Sequence, residues 1–140
     1  IYKQLAIEMQ LQTQVTWLGD IGREDIVTEF QQCHAFVLSS HYESFGIAYI
    51  EALACGKPII ASKCGGPETI VNSDNGLLID IKAPSKLAEA MLKMADNYSQ
   101  YNSTQIRQDF LNRFSSKAVV PQMIAFYETI SSRHTSTPCR

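Results

Sequence analysis

No apolar run in this 140-residue chain approaches the roughly 20 residues that a membrane-spanning helix needs. No basic cluster stands out against a formal net charge of −2, and a chain that mainly binds nucleic acid would carry a basic stripe. The four cysteines, Cys33, Cys55, Cys64 and Cys139, form no CxxC pair and no regular framework. Free thiols in a reducing cytosol fit them better than disulfides or a metal centre. His34, His41 and His134 are scattered, with no paired ligand spacing of the zinc type. There is no Asp-x-Asp pair of the kind that holds a divalent cation on a diphosphate, so a metal-dependent route is disfavoured. Internal repeats and low-complexity segments are absent. The start, Ile1-Tyr2-Lys3-Gln4, has neither an initiating methionine nor the charged-then-apolar order of a signal peptide. Ile1 to Gln10 already reads as the middle of a helix, and a polypeptide that begins further upstream is expected. What is left is a globular chain of single-domain length.

The patterning alternates strands with helices. Ile1, Leu5 and Met9 have helical spacing. Val15 to Leu18 reads as a strand ending at Gly19-Asp20. Arg23 to Gln32 reads as a helix with Ile26, Val27 and Phe30 inward. Ala35 to Ser39 is apolar enough for a strand buried on both faces. Gly46 to Cys55 is a helix closed by Gly56, and Pro58 opens the strand Ile59 to Ser62. Pro67 suits a first helical position, with Glu68 near the positive end of the dipole. Asn75-Gly76 is a turn before the strand Leu77 to Ile79. Three helices complete the pattern. Ser85 caps the first, which runs to about Asn97 with Leu87, Ala90, Met91 and Met94 on one face. Thr104 to Phe114 follows. The last spans Lys117 to about Ser132, with Val120, Met123, Ile124, Tyr127 and Ile130 inward and Pro121 in its first turn. Residues 1–133 form the domain and 134–140 a loose polar tail. The fold class is α/β, a Rossmann-like parallel sheet with helices on both faces. Right-handed crossovers put Gly19-Asp20, His41 to Phe45 and Ser62 to Gly66 on one edge of the sheet.

That edge is where open α/β sheets bind ligands, and Glu43 to Glu51 is the richest stretch on it. Glu51 lies in an otherwise apolar helix. A buried carboxylate there needs a partner, and vicinal ribose hydroxyls would serve; an exposed Glu paired with Lys57 fits the composition as well. Glu43 suits sugar hydroxyls or positive charge developing at an anomeric carbon, or else is a solvated loop carboxylate. Phe45-Gly46-Ile47 offers backbone donors at a helix start. Gly65-Gly66 is a second possible donor loop, or only a tight turn. Asp20 would touch a base edge or cap a helix. His41 reads as a positional contact or as plain surface.

The spacing Glu43-x7-Glu51 around Phe45-Gly46 resembles the retaining GT-B glycosyltransferases of family four. So do Trp17-Leu18-Gly19, Glu51 to Pro58, Gly65-Gly66-Pro67-Glu68 and Asn75 to Ile79, in register from about Val15 to Ile81. The resemblance implies the C-terminal, donor-binding half of a GT-B fold. Glu43 would contact the donor sugar and act in catalysis. Ser44, Phe45, Gly46 and Ile47 would present amides to the sugar and diphosphate, and Glu51 would bind the ribose. Leu18, Gly19 and Asp20 would lie near the base. The implied substrate is a nucleotide-sugar, with no metal or other cofactor. The acceptor, a polysaccharide, lipid or small molecule, stays open. The setting would be cytoplasmic, with attachment to the inner membrane face through the N-terminal domain in some members.

Two features depart from the family pattern. The family's first two strands, with an Arg and a Lys for the diphosphate, would precede Ile1, as would the N-terminal acceptor domain. Those strands would lie between Val15 and Ala35 in the sheet, so their absence leaves a gap with exposed apolar edges. Ser116 replaces an aromatic, which concerns packing. The rival readings are a nucleotide-sugar-binding module without activity and a GT-B-like nucleotide-sugar epimerase.

Overall fold

The computed structural model describes residues 1–134, with side chains through 132. Three parallel strands, β1 (Phe36–Leu38), β2 (Ile59–Ser62) and β3 (Gly76–Ile79), lie in the order β1-β2-β3. Phe36 pairs with Ile59, and Ile59 with Gly76. The central strand is buried on both faces, as its unbroken apolar sequence requires. Alternation along β2 then sorts the molecule into two layers. Ile59 and Ala61 face a core with Phe30, Tyr49, Ala52, Leu53, Ile70 and Ile106. Ile60 faces the other way, toward Ile79, Ala90 and Met94.

The first layer holds α2 (Arg23–Gln32), α3 (Ile47–Ala54), the short α4 (Pro67–Ile70) and α6 (Ser103–Phe114); the second holds α5 (Pro84–Asp96). Before the sheet comes α1 (Tyr2–Glu8), and after α6 comes α7 (Ser116–His134), which lies along α6. Gly56, at φ +71°, ends α3 in the left-handed turn that only glycine adopts freely. The side chain of Asn102 caps α6 by accepting from the amides of Thr104 (3.0 Å) and Gln105 (3.1 Å). Asn75 is buried and locks the turn before β3. Its Nδ2 donates to the Ile70 carbonyl at 3.1 Å and to Asp109 at 3.4 Å, and its Oδ1 accepts from the Asn72 amide at 2.8 Å.

Several sequence expectations need correction. Val15 to Leu18 is not a strand: it has no ladder partner among the described residues, and β propensity without a partner makes no strand. Ile26 and Val27 are exposed although Phe30 is buried, because no further layer covers that side of α2. β1 is half-buried, being an edge strand. Ser85 is the second residue of α5, whose cap is Ala83 with no side-chain hydrogen bond. Met91, assigned to the inner face of α5, is half-exposed. α7 begins at Ser116, so Pro121 falls beyond its first turn, inside the helix. Val120, Met123, Ile124, Tyr127 and Ile130 are all exposed. The helical period marks an apolar face, yet the described chain leaves about half of it open. The tail beyond His134 lies outside the described residues. No described helix is long and apolar enough to cross a membrane.

Candidate functional site

The carboxyl edge of the sheet brings two of the three expected loops into main-chain contact. The Glu43 amide donates to the Cys64 carbonyl (3.3 Å), and the Gly66 amide donates to the Glu43 carbonyl (2.7 Å), which makes Glu43 and Gly65 a parallel bridge. Glycine is needed on the far side of this clasp. A Cβ on Gly66 would lie 2.3 Å from the Phe45 carbonyl oxygen and 2.4 Å from its Cα. Gly65, at φ +118°, would set a Cβ 2.9 Å from the Glu43 carbonyl oxygen. The Gly65 amide donates to Glu68 Oε2 at 2.7 Å. Gly65-Gly66 is therefore not a free donor loop: both amides are taken, and the glycines serve close approach of two backbones.

The free donors lie one step along the chain. The amides of Ser44, Phe45, Gly46, Ile47 and Ala48 have no acceptor among the described residues. They open α3, at the positive end of its dipole. Gly46 holds φ +98°, and a Cβ there would meet the Tyr49 ring at 2.4 Å. Tyr49 is fully buried and fixes the start of α3, its hydroxyl donating to the Leu38 carbonyl at 2.8 Å. Burial first, then the nearby Cys64 and Glu43, push its phenol up to about 12. Burial, followed by the carboxylates of Glu68 and Glu43, also raises the Cys64 thiol. The Glu43 side chain thus belongs to an acidic corner beside Cys64, with Tyr49 as its floor. Phe45 is half-exposed and meets Phe114 edge-on, with ring centroids 6.4 Å apart.

Glu51 has a different setting. It is half-buried rather than buried, and among the described residues it forms no ion pair with Lys57. It lines an open cleft of about 300 Å³ between α2, α3 and α6, with Arg23, Ile26, Val27 and Arg107 among its neighbours. Arg107 donates through Nη1 to the Ala54 carbonyl at the end of α3. The two arginines escaped the sequence reading, because only the packing of α2 and α6 around α3 brings them to Glu51. Leu18, Gly19 and Asp20 share no hydrogen bond or ion pair with these groups among the described residues. All three are exposed, and an added Cβ on Gly19 would meet nothing within 4 Å. Asp20 does not cap α2, whose N-cap is Gly22 with no side-chain hydrogen bond.

The fold that carries this edge is one that the chain shares with solved proteins. It superimposes on a sucrose-phosphate synthase of Thermosynechococcus elongatus with a TM-score of 0.82 and 29% identity, covering 94% of this chain and 34% of that one. HepE of Anabaena, solved in complex with UDP-glucose, gives a TM-score of 0.76 at 27% identity, covering 94% and 36%. The C-terminal domain of the group 1 glycosyl transferase LpcC from Francisella tularensis gives 0.69 at 27% identity, covering 80% and 59%. The chain thus spans about a third of the length of the first two relatives. Its α/β architecture is that of the C-terminal domain of GT-B glycosyltransferases. Residues 2–109 match the family described as Glycosyl transferases group 1, and the chain belongs to that family.

Proposed function

We propose that this chain is the donor-binding part of a retaining, family-four glycosyltransferase that moves a hexose-type sugar from a nucleotide-sugar to an acceptor. The observation that carries the reading is the run of unengaged amides from Ser44 to Ala48, directly after Glu43 and at the head of α3. Such an end receives a diphosphate without a metal ion and stabilises the charge that builds on the leaving oxygen as the sugar departs. Glycine at position 46 lets the anion approach the main chain. Glu43 contacts the donor sugar and offsets positive charge at the anomeric carbon. Glu51 accepts from the vicinal ribose hydroxyls, and the loop Leu18-Gly19-Asp20 lies near the base. HepE, solved with UDP-glucose, supports a nucleotide-sugar as the ligand class.

The rest of the whole protein would supply the strands that flank β1, an Arg and a Lys for the diphosphate, and the acceptor wall. The 140-residue chain alone is then inactive. We place the whole enzyme in the cytoplasm. The test is kinetic, in the full-length protein. Glu51→Ala should weaken donor affinity about tenfold or more, the loss of a charge-assisted pair of hydrogen bonds. Glu43→Gln should lower kcat more than it changes donor affinity. Unchanged donor affinity in the first variant removes the ribose role, and wild-type turnover in the second removes the role in transfer. Addition of a chelator should leave the rate intact. Nucleotide-sugar binding without released nucleoside diphosphate would favour the inactive module, and an epimerised donor would favour the epimerase.

A further inference from the structure

We propose a second anion site on the opposite face of the sheet, built to hold a phosphate group. It goes beyond the transfer reading and stands whether or not that reading holds. A pocket of about 210 Å³ opens where β1, β2 and β3 end and α5 begins. Ser62, the last residue of β2, lies two positions from Ile60 and so shares its face, toward α5 and away from α3. Ser62 is 1% exposed and lines this pocket, yet its hydroxyl has no hydrogen-bond partner. No described side-chain oxygen or nitrogen is both fully buried and unpartnered, so the little surface that Ser62 keeps belongs to its hydroxyl. A polar group that is otherwise buried and left open on one side only is set to meet a ligand.

What surrounds that hydroxyl selects the ligand. Ser39 and His41 follow β1 and supply a hydroxyl and an imidazole. Lys82, in a left-handed turn at φ +54°, supplies a cation. The far wall is the first turn of α5, where no side chain caps the helix and the Ser85 and Lys86 amides find no acceptor, so the dipole end is positive. Asp80 also lines the pocket, but its carboxylate is engaged by Lys63 at 3.0 Å. With Asp80 paired to Lys63, Lys82 and the positive end of α5 leave positive charge at the pocket. That charge suits a tetrahedral oxyanion better than a neutral polyol.

The test is titration of the full chain with inorganic phosphate and, separately, with glycerol phosphate, followed through backbone amide NMR shifts. Saturable shifts at Ser62, Asp80, Lys82 and Ser85 are expected. Lys82→Met should weaken the response about tenfold. Ser62→Ala breaks no internal hydrogen bond and should weaken it severalfold while leaving the fold intact. Tighter binding of the ester would assign the site to a phosphorylated small molecule, and equal affinity to phosphate itself. Shifts confined to Ser44 through Ala48, or wild-type binding in both variants, would overturn the proposal.

Discussion

α3 and α7 are both apolar helices, yet they end up in opposite circumstances. In α3, Tyr49, Ala52 and Leu53 are wholly removed from solvent, pressed between the sheet and α6. In α7, Val120, Met123, Ile124, Tyr127 and Ile130 stand exposed, and Ile124 keeps 52% of its surface. The same contrast separates Phe36 to Phe114 from the opening stretch, where Trp17 and Leu18 are also open. Apolar periodicity tells which side of an element wants cover. Whether cover exists is decided by other elements, and only the middle of this chain supplies it for itself.

Substitutions in the two regions should therefore differ by far more than their chemistry. The largest effect is expected at Ile106, 2% exposed beneath α3. Ile106→Ala should cost about 3 kcal/mol in urea unfolding, the usual loss for a buried aliphatic truncation. A cost below about 1 kcal/mol would mean that the core is no better sealed than α7. Gly66→Ala comes next, at roughly 2–3 kcal/mol, because its methyl group must displace the Phe45 backbone. Native stability in that variant would show that the clasp between the loops is loose.

Tyr49→Phe should cost about 1 kcal/mol at neutral pH, through the lost hydrogen bond to Leu38. It should also change the alkaline limb. The folded phenol is raised to about 12, so below pH 10 its contribution is fully present, and it is lost as pH rises from 10 toward 12. The wild type should lose stability in that window more steeply than Tyr49→Phe; parallel curves would remove the phenol from the account. Cys33 and Cys64, both raised by burial, add a slope of the same sign that both proteins share. The smallest effect is expected from Ile124→Ala and Trp17→Ala, each within about 0.5 kcal/mol in this chain. A loss as large as that of Ile106→Ala would show that α7 or the opening stretch is packed in solution.

Where local chemistry decides the outcome, the sequence was a good guide to turns and breaks, though it misplaced the cap of α5 and the start of α7. Pro67 opening α4, Gly56 ending α3, the turn at Asn75-Gly76 and the fully buried β2 all follow from residue type and order. Failures cluster where the outcome depends on a distant partner. Val15 to Leu18 has strand composition but no ladder, and Ile26 and Val27 have core character but no opposing layer. At the site, the free amides from Ser44 onward could be expected from a glycine at a helix start. The use of Gly65-Gly66 could not, because their amides are taken by Glu68 and by the Glu43 backbone, the latter more than twenty residues back along the chain. Arg107 sits beside Glu51 only because α6 folds back across α3.

The hydrogen bond from the Gly66 amide to the Glu43 carbonyl has a mechanical consequence. A loop carboxylate ordinarily drifts with its loop. Here the carboxylate's own residue is stapled to the chain that leaves the central strand, so Glu43 inherits the stiffness of the sheet. The staple also transmits force: tilting α4, which begins at Pro67, drags the backbone of Glu43 with it. A change at Thr69 or Ile70 should then reset the aim of Glu43. The β2–α4 connection is thus a tuning screw for Glu43, held to it through the main chain.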